Sequence, residues 1–259
     1  MTALDGGRIE ALFGKESPYT VEVYPVLSST NETARLLGAS GAPSGRVILA
    51  ERQTAGRGRL GRSFYSPDGS GIYMSVLLRP RFPVEYASRI TTFAAVAAAR
   101  AVERVAGIDV SLKWVNDLFV GKRKLCGILA ESALDADGGG LSYVVLGIGI
   151  NVLHTALPEE LSEIATSIED ACGRRIDRNE LVGALLTELL PLLSGEIPDG
   201  YMDEYRARNL VLSREVTVVS GGECFSAFVK EIKDDGSLVV TLPDGSEKRI
   251  VAGDVSVRI

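Results

Sequence analysis

The sequence predicts an α/β (α+β) fold: a mixed sheet with helices packed on it, followed by a small β-barrel. Three observations carry this. Apolar, strand-like runs alternate with helical stretches over roughly the first 209 residues. Residues 86–106 form an Ala-rich segment with the wide apolar face of a helix that lies on a sheet. After Leu210 the texture changes to short strands divided by turn signals at Ser220-Gly-Gly, Asp234-Asp-Gly, Pro243-Asp-Gly-Ser and Ala252-Gly-Asp. Five strands in about fifty residues is the rhythm of a small barrel. The expected division is therefore residues 1–209 as one large domain and residues 210–259 as a second, small one.

Composition bounds the function. The chain has 259 residues and is 46% hydrophobic, enough for a sizeable core. No apolar run approaches the roughly 18 residues of a membrane span, and the N-terminus lacks the apolar core of a signal peptide. Cys126, Cys172 and Cys224 are odd in number and far apart, as expected of reduced cytoplasmic thiols. A single histidine, His154, excludes a His-cluster metal site and argues against a His-based triad. A net charge of −6 disfavours nonspecific nucleic-acid binding.

Residues 20–26 alternate as a strand and run into Ser28-Ser-Thr-Asn-Glu32, where a helix begins that extends to about Leu37. Ser29 followed by Glu32 has the spacing of a capping box. Residues 46–52 form the next strand. It leads into Glu51-Arg-Gln-Thr-Ala-Gly-Arg-Gly-Arg-Leu-Gly-Arg62, with four arginines and three glycines in twelve residues. Glycines let a backbone approach a ligand closely, and arginines grip carboxylate and phosphate oxygens with a planar fork. The stretch reads as a loop that closes over an anion. Gly56-x-Gly58-x-x-Gly61 matches the dinucleotide fingerprint in letters only. A helix must follow such a fingerprint, and here Ser63-Phe-Tyr-Ser-Pro-Asp-Gly is turn material.

The loop Gln53-x-x-Gly56-Arg-Gly-Arg-Leu-Gly-Arg62 resembles the adenylate-binding loop of the biotin–protein ligases. That resemblance implies a catalytic domain of the class II synthetase-like kind with an SH3-like module behind it. It places Ser29, Thr30 and Asn31 on the ureido ring of biotin, in addition to the helix-capping role their positions suggest. It also assigns Gln53, Gly56 and Arg57 to the biotin side and Arg59, Arg62 and Phe64 to the nucleotide side.

The remaining elements follow in order. Residues 71–79 form a strand with mixed faces, 81–84 a linker and 86–106 the long helix. Val110-Ser-Leu-Lys-Trp-Val-Asn-Asp-Leu-Phe-Val120 reads by itself as a strand end and a turn. It is similar to the family's Lys-Trp-Pro-Asn-Asp, with Val115 in place of the proline. The resemblance puts Lys113 on the phosphates and Asn116 and Asp117 near phosphates and metal. Gly121-Lys122-Arg123 is a hairpin turn, and a strand opens at Lys124. Its Lys-Leu-x-Gly-Ile-Leu pattern implies Lys124 on the biotin carboxylate, with Gly127 allowing close approach. Residues 135–140 form a Gly/Asp loop and 141–152 a strand. That strand ends in Gly147-x-Gly-x-Asn151, a pattern that in the family brings the asparagine near adenine, although an amide closing a turn reads equally well from the residues. His154 is expected at the surface. Residues 158–172, 177–193 and 198–208 read as helices, the second capped by Asp177 with Glu180.

The implied reaction joins biotin to ATP as biotinyl-AMP with loss of pyrophosphate, then transfers biotin to a lysine of a biotin carboxyl carrier protein. Its catalytic residues are Arg57, Lys113 and Lys124. Mg²⁺ bridges the phosphates, with Asp117 the one candidate protein ligand and also the candidate base toward the acceptor lysine. The resemblance allows a homodimer paired through sheet edges. Three rivals remain: a lipoate–protein ligase, a DNA-binding repressor and an inactive binding module. The loop matches the biotin version. The stretch before Ser28 is too short for a helix-turn-helix domain, so no DNA binding is expected. Retention of Arg57, Lys113 and Lys124 argues for turnover.

Overall fold

The computed structural model describes residues 3–80, 87–135, 140–155, 157–251 and 253–257. The expected linker at 81–84 and most of the expected loop at 135–140 lie outside them.

Seven strands form one mixed sheet: β1 (Thr20–Leu27), β2 (Arg46–Gln53), β3 (Gly71–Leu78), β4 (Ser111–Lys113), β5 (Asp117–Val120), β6 (Arg123–Leu134) and β7 (Leu141–Asn151). Their spatial order is β1-β2-β3-β7-β6-β5-β4. Only the β1–β2 pair is parallel; every other neighbouring pair is antiparallel. Helix α1 (Gly6–Ala11) precedes the sheet, and sequence reading did not find it. It is a single short turn, capped by Asp5 accepting from the Arg8 N–H and held by the fully buried Ile9.

The sheet is covered on both faces. Helix α2 (Thr30–Ala39) packs Ala34 against Ile48, Leu77, Tyr143 and Val145 on one face. On the other, α3 (Ala87–Ala106) and α6 (Arg178–Ser194) bury a continuous core that includes Val47, Met74, Phe93, Leu146 and Leu185. Two-sided cover explains β3. All eight of its residues are buried, so it does not show the two unlike faces its sequence suggests.

The expected helix at 158–172 is two short pieces, α4 (Glu159–Ser162) and α5 (Ile168–Cys172). Between them the chain runs beside β6: Lys124 N–H donates to Ile164 O at 2.8 Å and Thr166 N–H to Lys124 O at 2.9 Å. Ser167 then starts α5, its side chain accepting from the Asp170 N–H. A sheet partner and a good cap thus outcompete helical continuity. Asp177 caps α6 by accepting from the Asn179 and Glu180 N–H groups, and α7 (Tyr201–Ala207) follows.

The C-terminal strands β8 (Glu215–Ser220), β9 (Glu223–Ile232), β10 (Leu238–Thr241), β11 (Glu247–Ile250) and β12 (Asp254–Val257) form an antiparallel sheet in the order β11-β10-β9-β8-β12. A register shift between Val239 and Val240 bends it. The turn between β9 and β10 packs against α3 and the segment between β4 and β5. The buried Trp114 indole donates to Gly236 O at 2.8 Å, and Ser88 Oγ donates to Asp235 O at 2.6 Å. Trp114→Phe removes the first donor and leaves a buried carbonyl unpaired. We expect a loss of about 1–3 kcal/mol of stability, read as a lower denaturant midpoint. Among the described residues no helix is long and apolar enough to cross a membrane.

Candidate functional site

The N-terminus of α2, the loop after β2 and the ends of β5, β6 and β7 meet at an open cleft with an empty volume of about 820 Å³. Its inner end is polar and buried. Ser29, Thr30 and Asn31 are each no more than 5% exposed. Ser29 occupies the N-cap of α2, but its side chain makes no capping hydrogen bond, and Glu32 accepts from Ser28 Oγ instead. The expected Ser29–Glu32 capping box does not form. Ser28 Oγ engages the Glu32 carboxylate that the box would need, and Gln53 Oε1, from β2, accepts from the Thr30 N–H at 2.9 Å, a first-turn donor that a box would leave open.

A hydrogen-bond network fixes this end. Gln53 also donates from Nε2 to Ser66 Oγ at 3.0 Å. Ser75 Oγ, fully buried on β3, lies 2.6 Å from Asn31 Oδ1 and 2.8 Å from Thr30 Oγ1. Its single proton goes to Asn31 Oδ1, which can only accept. Asn31 Nδ2 donates to Glu131 Oε2 at 2.8 Å and reaches Leu129 O at 3.4 Å. Gly147 leaves the room this requires, because a Cβ there would come within 2.1 Å of Asn31 Oδ1. Gly147→Ala overpacks the network, with an expected cost of about 1–3 kcal/mol of stability, checked by equilibrium unfolding.

The loop after β2 is tightly folded. Arg57 and Ser63 bridge as antiparallel partners, Gly58 N–H donates to Arg62 O at 2.7 Å, and Leu60 takes a left-handed conformation at φ 55°. A Cβ at Gly56 would lie 2.4 Å from Phe64 O, so glycine is needed where the loop leaves the strand. Two arginines reach from the loop to the sheet. Arg57 pairs with Glu131 at 3.5 Å, and Arg59 Nη1 donates to Asn116 Oδ1 at 3.1 Å. Asn116 is itself fixed by two hydrogen bonds with Ile128, one from its side-chain amide to Ile128 O and one from Ile128 N–H to its own carbonyl.

Behind the loop the Phe64 ring lies over the facing glycines Gly127 and Gly149, which are cross-strand partners on β6 and β7. A Cβ at Gly149 would come within 2.6 Å of that ring. Phe64 meets Tyr73 edge to face at 6.4 Å. Burial raises the Tyr73 hydroxyl pKa to about 12, and it donates to Pro67 O. Lys124 is placed by the two backbone bonds to the 164–166 segment, and its Nζ is 2.7 Å from Asp117 Oδ1. That contact is an ion pair without hydrogen-bond alignment, and Asp117 Oδ1 is otherwise buried without a hydrogen-bond partner.

The cleft is thus lined by Ser29, Thr30, Asn31, Gln53, Arg57, Arg59, Arg62, Phe64, Asn116, Asp117, Lys124 and Gly127 together. Three expected residues lie outside that lining, the first being Gly56, which is buried against Phe64 O at the root of the loop. Lys113, on the edge strand β4, sits 5.7 Å from the Phe119 ring centroid and outside the lining. Asn151 donates to Thr166 O at 3.1 Å and borders a smaller neighbouring pocket with Tyr65 and Ser70. His154 is exposed and pairs with Asp170, its Nδ1 2.7 Å from Oδ1. Sequence reading missed Glu131 and Ser75, which line up the network from below. Their only signal is their place on strands facing the cleft.

Comparison with known proteins fits this geometry. The Biotin/lipoate A/B protein ligase family matches residues 23–151, and the Biotin protein ligase C terminal domain matches residues 211–258. A Mycobacterium tuberculosis protein named biotin--[acetyl-CoA-carboxylase] ligase is 35% identical over 244 residues, covering 91% of this chain and 88% of that one. The chain belongs to the biotin protein ligase family. The Bacillus subtilis bifunctional ligase/repressor BirA is 41% identical over 165 residues, which cover 63% of this chain but 50% of the relative. The chain thus spans about half the length of that relative. The biotin protein ligase from Aquifex aeolicus, solved in complex with biotin and ATP, superimposes with a TM-score of 0.77 at 28% identity, covering 92% of this chain and 98% of that one.

Proposed function

We propose that this protein activates biotin with ATP to biotinyl-AMP and then transfers biotin to a lysine of a carrier protein, in the cytoplasm. The observation that carries this reading is one cleft with a buried neutral hydrogen-bonding end at Ser29, Thr30 and Asn31 and a cationic mouth at Arg57, Arg59, Arg62 and Lys124. A neutral bicyclic head with a carboxylate tail needs that order of groups.

The chemistry follows from charge. A carboxylate oxygen attacks the α-phosphorus of ATP, forming an acyl phosphate as the bond to pyrophosphate breaks. Both reactants are anionic, so cations must neutralise them where they meet. Lys124 serves the carboxylate. The loop arginines serve the phosphates and shield the anhydride from water. In the second step an acceptor amine attacks the acyl carbon and AMP leaves. Asp117 is the base we assign to that amine. Lys113 is assigned to the phosphates and Asn151 to the neighbourhood of adenine on the resemblance of their motifs.

Mg²⁺ would enter with the nucleotide. Among the described residues no group of three or more His, Cys, Asp or Glu side chains could hold it, so phosphate oxygens must supply most ligands. Asp117, with its buried unaligned oxygen, fits as the single protein ligand. The metal supplies charge neutralisation on the phosphates.

The test is incubation with ATP, Mg²⁺ and biotin, lipoate or octanoate in parallel, with detection of the acyl-AMP by mass spectrometry. Biotin-dependent adenylate is the expected result. Adenylate with lipoate or octanoate alone reassigns the substrate, and no adenylate with any acid overturns the reading.

A further inference from the structure

Glu131 is a carboxylate at the edge of a site that must bind anions, and it does not line the cleft. Its two oxygens have different partners. Oε2 accepts from Asn31 Nδ2 at 2.8 Å, and Oε1 is 3.5 Å from Arg57 Nη2. Asn31 belongs to the buried polar end, whereas Arg57 is half-exposed on the loop. We propose that Glu131 is a positioning residue that joins these two halves, setting the Asn31 amide with one oxygen and holding the Arg57 loop with the other. The proposal rests on the biotin-ligase reading.

Asn31 has one amide orientation that satisfies its surroundings. Ser75 Oγ approaches Oδ1, while Glu131 and Leu129 O approach Nδ2. Rotating the amide by half a turn would set Oδ1 against a carboxylate and a carbonyl, two acceptors. Glu131 therefore fixes the orientation of an amide in the buried polar end.

At the other oxygen the geometry is looser. A half-exposed pair at 3.5 Å is weak and readily exchanged. Arg57 has a resting partner when no ligand is bound, so the loop keeps its fold. An acyl phosphate entering the cleft offers a charged acceptor in its place. Glu131 thus hands Arg57 over to the ligand, and recaptures it when product leaves.

Glu131→Gln separates the two tasks, because its amide oxygen can still accept from Asn31 but its charge is gone. In a chain that forms the adenylate, E131Q removes the partner that competes with the ligand for Arg57, so release of biotinyl-AMP should slow about threefold while the KM for biotin stays within about twofold of wild type; faster release would overturn the proposal. E131A removes the acceptor as well and should raise the KM for biotin about tenfold. In the double variant E131Q/R57A, release should match that of R57A alone, because the charge of Glu131 acts on release only through Arg57. Multiplying effects in the double variant, or equal KM changes in E131Q and E131A, would overturn the proposal. Absence of adenylate in the wild-type protein is a different failure, that of the reading beneath it. R57A changes a half-exposed loop residue, so the double-variant comparison does not depend on the buried end folding correctly.

Discussion

Replacing Lys124 with methionine should lower kcat/KM for adenylate formation by about 10²–10³-fold, the effect of removing one preorganised cation from a developing negative charge. Methionine is shorter only by the ammonium atom, so it keeps the packing of the stem while deleting the charge. The backbone of residue 124 is held by hydrogen bonds to Ile164 O and Thr166 N–H that do not involve its side chain, so the fold should persist. Pyrophosphate release with biotin and ATP measures the loss, and a rate within about threefold of wild type would remove Lys124 from the reaction.

A second term makes the single variant worse than the missing cation alone. Lys124 Nζ is 2.7 Å from Asp117 Oδ1, and without it Asp117 stands as an unneutralised carboxylate in the cleft. Two like charges 4 Å apart repel by about 4 kcal/mol at an effective dielectric constant near 20, which bounds the harm Asp117 can do to an incoming phosphate. Asp117 is also the protein ligand assigned to Mg²⁺, so Lys124→Met combined with Asp117→Asn should lose rate beyond either single variant. Recovery in the double variant would instead mean that Asp117 serves adenylation only as the counter-ion of Lys124.

The residues that make the site legible in sequence are those whose chemistry is local. A loop of glycines and arginines between a strand and turn material advertises anion binding wherever it folds. The periodic strands and the change of texture after Leu210 were readable for the same reason: each depends on near neighbours. What could not be read depends on distant partners. The Ser29–Glu32 box has correct spacing, yet Glu32 accepts from Ser28 Oγ, and the first turn takes its outside acceptor from Gln53 on β2. Residues 158–172 have helical character, yet the backbone of Lys124 draws the middle of that stretch into a sheet pairing. Glu131 has no signature, because its meaning comes from Asn31, exactly one hundred positions away, and from Arg57.

Arg57→Ala and Arg59→Ala should each release biotinyl-AMP early. Each arginine ties the loop to a different part of the sheet, Arg57 to Glu131 on β6 and Arg59 to Asn116 between β4 and β5. Neither tie is strong without ligand, since half-exposed polar contacts contribute about 0.2–1 kcal/mol. With an acyl phosphate in the cleft the same guanidinium groups bond a charged acceptor, and such bonds contribute about 1.5–3 kcal/mol each. Release should then be about 10- to 100-fold faster in either variant, seen by diluting preformed complex into unlabelled adenylate. Reactive anhydride set free in solution acylates any accessible amine, so indiscriminate biotinylation of bystander proteins should rise with it. Arg59→Ala should have the larger effect. Its partner Asn116 is already fixed by two hydrogen bonds with Ile128, so Arg59 closes the loop onto a rigid point, whereas the Arg57 pair spans 3.5 Å with the arginine half in solvent. An off-rate unchanged in both variants would mean that the loop does not retain the adenylate, and that the cleft holds it from the Ser29–Asn31 end alone.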